Sequence, residues 1–388
     1  MTTTFCAYPW DLLDDPRATG RVTEAGADGV VIAAAYHSVR AATPMHPHRA
    51  LVDATDAAYY LSLDERIWDG AALRPTTATP WAGQDAFPRA AAVARAAGLR
   101  VEAWVVLTHS AYVGSRHPRL TVRNAYGERY PYALCPSAPE VRDYARRVVE
   151  GVVRAADPDG LMIEACGPLG VGHVGRHEKT QGADWSPVAE NLLSICFCDA
   201  CRKRLHGSGT DVGRLRDEVR AGLAAESAGR HGTMEDHLTD APQVLGTRAQ
   251  VRQALASAVR EAAAAVPRVV AHAQPDPWAT GPFAALFEDA HLFDGIVVPG
   301  DLVTAGGATA ADLRAAVPAA EVGGYFVALP PTTPAAVADT WPRAIAGLDA
   351  AYLYHLGLLS AERLTAVGTA VERAGALRTR ARTPPLGG

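Results

Sequence analysis

The sequence predicts an α/β protein folded as one (β/α)8 TIM barrel. Two observations lead to this prediction: eight short apolar runs recur along the 388 residues, and helical patterns separate them. Most of the runs are apolar throughout instead of alternating, which is typical of parallel strands buried on both faces. The predicted strands are Thr4–Tyr8, Gly29–Tyr36, Val101–Thr108, Leu161–Ala165, Arg268–Gln274, Asp294–Pro299, Glu321–Leu329 and Ala350–His355.

Helix signals lie between these strands. Ser137 and Glu140 have the spacing of a capping box and predict a helix start before the fourth strand. The last helix is expected to run from Ser360 to about Ala374, where Gly375 supplies a stop signal. An open doubly wound sheet is the alternative, but no G-x-G-x-x-G dinucleotide fingerprint follows the first strand.

The predicted domain is a single barrel over residues 1–376, followed by a flexible tail at 377–388 that is rich in proline, arginine and glycine. Long loops follow strands two, three and four. The loop after strand two spans 37–84, and a loop or helical excursion after strand four spans about 166–245. Loops that follow strands lie at the catalytic face of a barrel, so long ones usually shape a substrate site.

Composition excludes several classes of function. Hydrophobic residues make up 48% and charged residues 20% of the chain, and the formal net charge is −5 without a basic stripe, so nucleic-acid binding is not expected. No apolar run reaches the roughly 18 residues of a membrane span, and no secretory signal is visible. Clustered cysteines favour a reduced, cytoplasmic protein. A homo-oligomeric assembly is compatible with the sequence.

Polar and aromatic side chains collect at the predicted carboxyl ends of the strands, where barrel enzymes bind substrate. Sugars stack their apolar faces on aromatic rings and need both donors and acceptors for their hydroxyls, so a carbohydrate or glycoside is the expected partner. The strand-end candidates are Tyr8, Trp10, Tyr36, His37, Arg40, His109, His272, Gln274, Tyr354 and His355. Loop candidates are Arg123, Asn124 and Tyr132 after strand three, and His173, His177 and Lys179 after strand four.

Glu164 is the leading catalytic candidate because it ends the apolar run Leu161-Met-Ile. Burial at that position raises the pKa of a carboxyl group and suits a general acid. The structural alternative is a buried glutamate paired with an arginine. Glycoside hydrolysis needs a second carboxylate, and Asp276, Asp301 and Glu178 are the candidates, which the sequence does not rank.

Three of the six cysteines, Cys196, Cys198 and Cys201, have C-x-C-x-x-C spacing. Thiolates at this spacing can supply three zinc ligands, with Cys166 or Cys135 as the fourth, in a closed structural site that braces the loop after strand four. Reduced thiols packed as small apolar side chains are the alternative. Hydrolysis itself requires no cofactor.

The order of these motifs resembles a known group of proteins. Glu164, then His177-Glu178-Lys179, then the cysteine run resemble the uncharacterised bacterial glycoside-hydrolase-like TIM-barrel proteins, over roughly residues 100–205. The chain is also distantly similar to family 42 β-galactosidases. That resemblance implies Glu164 as acid/base and Cys196, Cys198 and Cys201 as zinc ligands.

The chain departs from family 42 at two positions. That family has asparagine before the acid/base glutamate, and Ile163 stands there in this sequence. It also has a nucleophilic glutamate ending strand seven, where this chain reads Ala328-Leu-Pro-Pro331. The leading hypothesis is therefore a glycoside hydrolase-like enzyme with one assigned carboxylate. The rivals are a metal-dependent sugar isomerase or epimerase using Glu164, His272 and Asp276, and a non-catalytic carbohydrate-binding barrel.

Overall fold

The computed structural model describes residues 1–77, 80–172, 183–304, 306 and 308–382. Eight parallel strands form the centre, and five short strands are added in the loops. In chain order the strands are β1 Thr2–Ala7, β2 Gly29–Tyr36, β3 Val39–Ala42, β4 Leu51–Ala54, β5 Ala58–Tyr59, β6 Arg100–Val106, β7 Thr121–Arg123, β8 Arg129–Leu134, β9 Gly160–Glu164, β10 Val269–His272, β11 Gly295–Pro299, β12 Glu321–Val327 and β13 Ala350–Tyr354.

The eight parallel strands close into a barrel in the order β1, β2, β6, β9, β10, β11, β12, β13. Closure is visible at β1, which pairs in parallel with β2 on one side and with β13 on the other. All eight predicted barrel strands are present, with ends that differ by at most two residues. The prediction of a (β/α)8 barrel is confirmed.

Helices surround the barrel and extend its loops. They are α1 Pro9–Leu12, α2 Ala18–Glu24, α3 Glu65–Trp68, α4 Ala86–Ala96, α5 Ala111–Arg116, α6 Pro139–Ala156, α7 Pro187–Leu193, α8 Asp199–Gly207, α9 Val212–Ser227, α10 Met234–His237, α11 Ala241–Ala262, α12 Gly300–Thr304, α13 Ala310–Ala316, α14 Pro334–Gly347 and α15 Ala361–Arg382. No helix within the described residues is both long and apolar enough to cross a membrane.

Two helix ends differ from the sequence-based expectation. α6 begins at Pro139 with Ala138 as its N-cap, and it has no side-chain cap because alanine carries no acceptor. The hydroxyl of Ser137 lies 3.0 Å from the Cys201 sulfur. α15 continues through Gly375 to Arg382, so residues 377–382 of the predicted flexible tail are helical. Packing against α14 outweighs the glycine stop signal, and residues 383–388 lie outside the described part.

The excursion after β9 is helical in its described part. α7, α8, α9 and α10 precede the long α11, and their apolar side chains form a second buried cluster beside the barrel core. Leu192 of α7 and Leu215 and Val219 of α9 are fully buried within it. The excursion therefore has a small core of its own, which holds the segment that carries the cysteines.

Charged side chains fill the amino-terminal end of the barrel. The buried Glu102 of β6 pairs with Arg100 and with Arg268, whose Nη1 lies 3.1 Å from Glu102 Oε1. The hydroxyl of Tyr352 donates to Glu102 Oε2 over 3.0 Å. A buried carboxylate with this many partners is structural, and it lies at the end opposite to the strand-end candidates.

Candidate active site at the carboxyl ends of the strands

Glu164 is the last residue of β9 and is almost fully buried. Its Oε2 accepts a hydrogen bond of 2.9 Å from the indole Nε1 of Trp104, which lies on the neighbouring strand β6. The Nδ1 of His272 is 3.9 Å from the same oxygen. Burial raises the pKa of Glu164 to about 7, and the Trp104 hydrogen bond acts in the opposite direction. A carboxyl group with this pKa holds a proton that it can donate near neutral pH.

His272 ends β10 and is neutral, since burial lowers its pKa to about 3. Its ring stacks on Phe283 with a centroid distance of 4.4 Å and meets Tyr325 edge-on at 5.0 Å. Neither ring nitrogen has a hydrogen-bond partner within the described residues. A buried imidazole with both nitrogens unsatisfied is unusual, and it offers a donor and an acceptor to a ligand beside Glu164.

Four tyrosines line the same space: Tyr8, Tyr36, Tyr325 and Tyr354. Burial raises the pKa of each of them, so all four hydroxyls stay protonated at neutral pH. The ring of Tyr36 meets Trp104 edge-on at 4.7 Å, and Tyr325 lies 5.4 Å from Tyr354. The site is therefore a cluster of aromatic faces and hydroxyl donors around one protonatable carboxyl group.

A second buried acid, Asp11, lies in α1, just beyond the end of β1. Its Oδ2 accepts a 2.7 Å hydrogen bond from the backbone N–H of Tyr8 and is 3.5 Å from Nδ1 of His355. Burial raises the pKa of Asp11 to about 7 and lowers that of His355 to about 3. The His355 ring lies against Tyr8 with a centroid distance of 4.1 Å. Asp11 and His355 thus form a buried acid–imidazole pair.

His37, His109 and Tyr132 continue the aromatic surface outward. The His37 ring is tilted against Tyr36 with a centroid distance of 4.2 Å, and it stacks on His109 at 4.5 Å. Tyr132 meets His109 edge-on at 5.9 Å and donates its hydroxyl hydrogen to the carbonyl of Gly170 over 3.1 Å. Trp10 is fully buried behind Tyr8, with the two rings stacked at 4.6 Å. The structure therefore brings together most of the aromatic and histidine candidates.

Other candidates are placed elsewhere. Asn124 is buried in the turn between β7 and β8, where its side chain accepts from two backbone N–H groups and donates to Glu128 and Tyr130. Arg123 donates weakly to the carbonyl of Gly127 over 3.4 Å, and the exposed Arg40 is 3.9 Å from Asp53. Their side-chain contacts lie within their own hairpins, so local structure accounts for them.

The candidates for a second carboxylate are divided. Asp276 and Asp301 are both exposed. Asp276 accepts a hydrogen bond of 2.9 Å from the backbone N–H of Trp278, and Asp301 accepts one of 3.0 Å from the backbone N–H of Leu302. Gln274 is half-buried just beyond the end of β10. Glu178 lies outside the described residues, as do His173, His177 and Lys179.

Sequence reasoning missed three contributors to the site. Trp104 lies inside a predicted strand, Tyr325 lies two residues before the observed end of β12, and Asp11 lies in the short helix α1 that follows β1. Asp11 carried a signal, because it directly follows the aromatic pair at the first strand end. Trp104 and Tyr325 carried none, since only the barrel register places them beside Glu164.

Cys135, Cys196, Cys198 and Cys201, together called the cysteine cluster here, lie within 4.8 Å of one another through their sulfur atoms. Cys135 Sγ is 3.5 Å from Cys201, 3.6 Å from Cys198 and 3.8 Å from Cys196. A tetrahedral zinc with Zn–S bonds of about 2.3 Å separates its sulfurs by about 3.8 Å. Hydrogen bonds within the cluster, above all with Cys135, hold the pKa of Cys198 well below its usual range and raise the pKa of Cys196 and of Cys201, so they favour a thiolate at Cys198 alone among these three. These four residues fit a metal ion.

The nomination of Cys166 as a metal ligand needs correction, because the structure places Cys135 in the cluster instead. The backbone N–H of Phe197 donates to the carbonyl of Arg123 over 2.6 Å, which holds the cysteine run against the β7–β8 hairpin and the following Cys135. Cys166 is buried on the side of Arg252 and Asp289, where burial raises its pKa to about 12.

The isomerase alternative required Glu164, His272 and Asp276 to gather around a metal. Among the residues that the structure describes, the cysteine cluster is the one group of three or more potential ligands found close together. Asp276 is exposed, whereas Glu164 and His272 are buried. The described geometry therefore gives that alternative no support.

No family model matches this sequence, and no curated protein matches it either. Solved structures share its fold. They include α-L-fucosidase isoenzyme 2 from Paenibacillus thiaminolyticus, with a TM-score of 0.55 and 11% identity over 98% of this chain and 50% of that one. The catalytic domain of β-amylase from Paenibacillus polymyxa has a TM-score of 0.55 and 10% identity, over 98% of this chain and 99% of that domain.

A third similar structure is the β-galactosidase from the psychrophilic Marinomonas ef1, with a TM-score of 0.54 and 11% identity over 99% of this chain. The present chain spans 61% of that enzyme and half of the fucosidase. At these identities the likeness establishes a shared TIM-barrel fold, and function has to be argued from the site.

Proposed function

We propose that this protein is a glycoside hydrolase-like enzyme that acts on a carbohydrate or glycoside, with Glu164 as its general acid/base. One observation carries the proposal: a buried carboxyl group with a pKa of about 7 ends the fourth barrel strand, among aromatic rings and hydroxyl donors. A carboxylic acid of this kind can protonate a glycosidic oxygen as the bond to the sugar breaks. The glycoside hydrolases among the similar folds are consistent with this function.

The residues around Glu164 have complementary roles in the proposed reaction. Trp104 fixes the orientation of the carboxyl group through its hydrogen bond. His272, neutral and without a partner in the described residues, donates to or accepts from a sugar hydroxyl. The faces of Tyr325 and Tyr354, both partly exposed, can pack against the apolar side of a sugar ring.

The second acid/base group is the open part of the mechanism. Asp276, Asp301 and Glu178 stay candidates, and Asp11 joins them because it is buried just beyond the end of β1. β12, the seventh barrel strand, ends with Phe326 and Val327 and supplies no carboxylate at its carboxyl end. A two-carboxylate mechanism would therefore draw its second group from another strand or loop.

The acid role is tested with aryl glycosides that differ in their leaving group. We expect Glu164→Gln to lower kcat by about 10²–10⁴-fold on a poor leaving group, and far less on a dinitrophenyl glycoside, whose leaving group needs no protonation. The control is Glu102→Gln, which replaces a buried glutamate at the opposite end of the barrel. This variant should retain kcat per folded molecule. Equal losses on both substrates would refute the acid role.

The same preparation separates the hydrolase from a non-catalytic binding barrel. Calorimetry with neutral mono- and oligosaccharides measures binding, and chromatography of the mixture measures product. Sugar binding by the wild-type protein without product from any glycoside would identify a carbohydrate-binding barrel and refute the enzyme.

We further propose that the cysteine cluster holds one structural zinc, which braces the excursion against the β7–β8 hairpin. The fit of the sulfur spacing to a tetrahedron supports this proposal, and so does the resemblance to family 42, in which an earlier cysteine completes the site. Reduced thiols are needed for such a site, which agrees with the proposed cytoplasmic location.

A further inference from the structure

A metal bound by four thiolates leaves the cysteine cluster with a charge that the protein must balance. Zinc with four cysteine thiolates has a net charge of about −2. Cys135 and Cys198 are buried, and Cys196 and Cys201 are only partly exposed. Burying uncompensated charge is costly, so a site of this kind needs cationic groups nearby.

Arg248, on α11, is the first such group. Together with Cys135, Cys196 and Cys201 it lines a small cavity of about 40 Å³. Its Nη2 donates to the carbonyl of Trp278 over 3.0 Å, which fixes the guanidinium in place. Its Nη1 is buried and makes no hydrogen bond within the described residues.

The environment of Arg248 contrasts with that of Arg252, one turn later on the same helix. Arg252 is buried and forms ion pairs with Asp289, at 2.6 Å, and with Glu288, at 3.2 Å. Arg248 has no carboxylate within 4 Å among the residues described. Asp276 interacts with its charge from farther away, and three of the four cysteines line the same cavity as Arg248. Although burial lowers its pKa to about 10, Arg248 stays charged at neutral pH.

Arg142, on α6, is the second cationic group. Its Nη1 donates to the carbonyl of Pro136 over 2.7 Å and to that of Ser137 over 3.0 Å. These are the two carbonyls that follow Cys135, so Arg142 positions the loop that delivers the fourth sulfur. Its charge also interacts with Cys135.

We propose that Arg248 is the charge-balancing residue of the cysteine metal site and that Arg142 assists it while positioning Cys135. The inference rests on the metal site proposed above and is independent of the hydrolytic activity. It explains why an arginine with an unsatisfied N–H lines the same cavity as three of the four cysteines: the guanidinium is balanced when the metal is bound as a tetrathiolate.

This role predicts opposite behaviour for the two neighbouring arginines of α11. Removing the charge of Arg248 should weaken metal binding and cost the metal-free protein much less stability than the zinc-loaded form. Arg248 forms no ion pair among the described residues, and the charge of about −2 on a zinc tetrathiolate exists only when the metal is bound. Removing the charge of Arg252 should lower the stability of both forms, since it breaks the pair with Asp289, and leave metal affinity unchanged.

The experiment compares wild type, Arg248→Gln, Arg248→Lys and Arg252→Gln. Glutamine keeps an N–H donor for the Trp278 carbonyl but carries no charge, and lysine keeps the charge. The zinc dissociation constant is measured by competition with a chromophoric chelator, and the absorption spectrum with Co²⁺ alone reports thiolate ligation. Thermal unfolding is followed for the metal-free and zinc-loaded forms.

We expect zinc to bind Arg248→Gln about 10–100-fold more weakly, Arg248→Lys close to wild type, and Arg252→Gln like wild type. Wild-type affinity in Arg248→Gln, or an equal loss in Arg252→Gln, would overturn the inference. A wild-type protein that binds no metal would overturn the zinc site with it. If Arg248→Gln fails to fold, Arg142→Gln is measured instead, and unchanged zinc affinity in that variant would count against the inference.

Discussion

Glu164 makes a quantitative prediction about stability, because its burial is linked to pH. Its pKa is raised from the usual 4.5 to about 7 in the folded protein. Below pH 4.5 both the folded and the unfolded state hold the proton, so burial of this group has no electrostatic cost. As the pH rises from 4.5 to 7, the unfolded state loses its proton first, and the free energy of unfolding falls.

The size of this effect follows from the two pKa values. One pKa unit corresponds to 1.36 kcal/mol, so the difference between 4.5 and about 7 gives a loss of about 3 kcal/mol above pH 7. Glu164→Gln removes the titrating group and keeps an oxygen that can accept from Trp104. The variant should therefore gain about 3 kcal/mol of stability relative to wild type between pH 4.5 and pH 8.

The assay is urea unfolding of wild type and variant at pH 4.5 and pH 8, followed by tryptophan fluorescence. Taking the difference between the two proteins cancels titrations that they share, including that of Asp11, whose pKa is raised in the same direction. Glu102→Gln is the control with the opposite sign: it breaks a buried ion pair and should cost about 3–5 kcal/mol.

One result would refute the reasoning. If the stability difference between Glu164→Gln and wild type is the same at pH 4.5 and pH 8, Glu164 does not have a raised pKa. The argument that it holds a proton for a leaving group would then lose its physical basis, whatever the activity assay shows.

Three further predictions concern the surroundings of the two proposed sites. Trp104→Phe removes the hydrogen bond that opposes the effect of burial, so the pKa of Glu164 should rise further. The fall in stability should then still begin near pH 4.5 but continue to a higher pH and become larger in total; an upper limit of the fall that stays at the wild-type pH would contradict this. Cys135→Ser should lower the zinc content from about one per chain to well below that by elemental analysis, and full zinc content would argue against a four-cysteine site. Gly357→Ala would place a Cβ against the Asp11 carboxylate, which should cost about 1–3 kcal/mol in urea unfolding; in the Asp11→Ala background most of that loss should disappear, and strict additivity would show that the two residues are not in contact.

The barrel could be predicted from the sequence because strands that are buried on both faces are apolar at nearly every position. A run such as Gly29–Tyr36 is apolar at nearly every position, and this pattern has few explanations besides a parallel strand covered by helices. Glu164 was predictable for the same reason, since a carboxyl group at the end of an apolar run is conspicuous. The cysteine spacing likewise indicated three sulfurs near one another.

Other features depended on contacts between distant residues. Asn124 carries polar groups suited to a ligand, yet its side chain is occupied by the β7–β8 turn. Gly375 signals a helix end, but α15 continues because it packs on α14. Local signals of this kind are weak beside the free energy of tertiary packing.

The sequence by itself determined the fold class, the strand that carries Glu164 and three of the four sulfurs, because these depend on local patterns of burial and spacing. Only the tertiary structure decided that Trp104, His272 and Tyr325 meet around Glu164, and that Cys135 instead of Cys166 completes the cysteine cluster. Those choices depend on strand register and on how the excursion lies against the β7–β8 hairpin. Register and packing bring together residues that are far apart in the chain, so no local sequence pattern predicts these contacts.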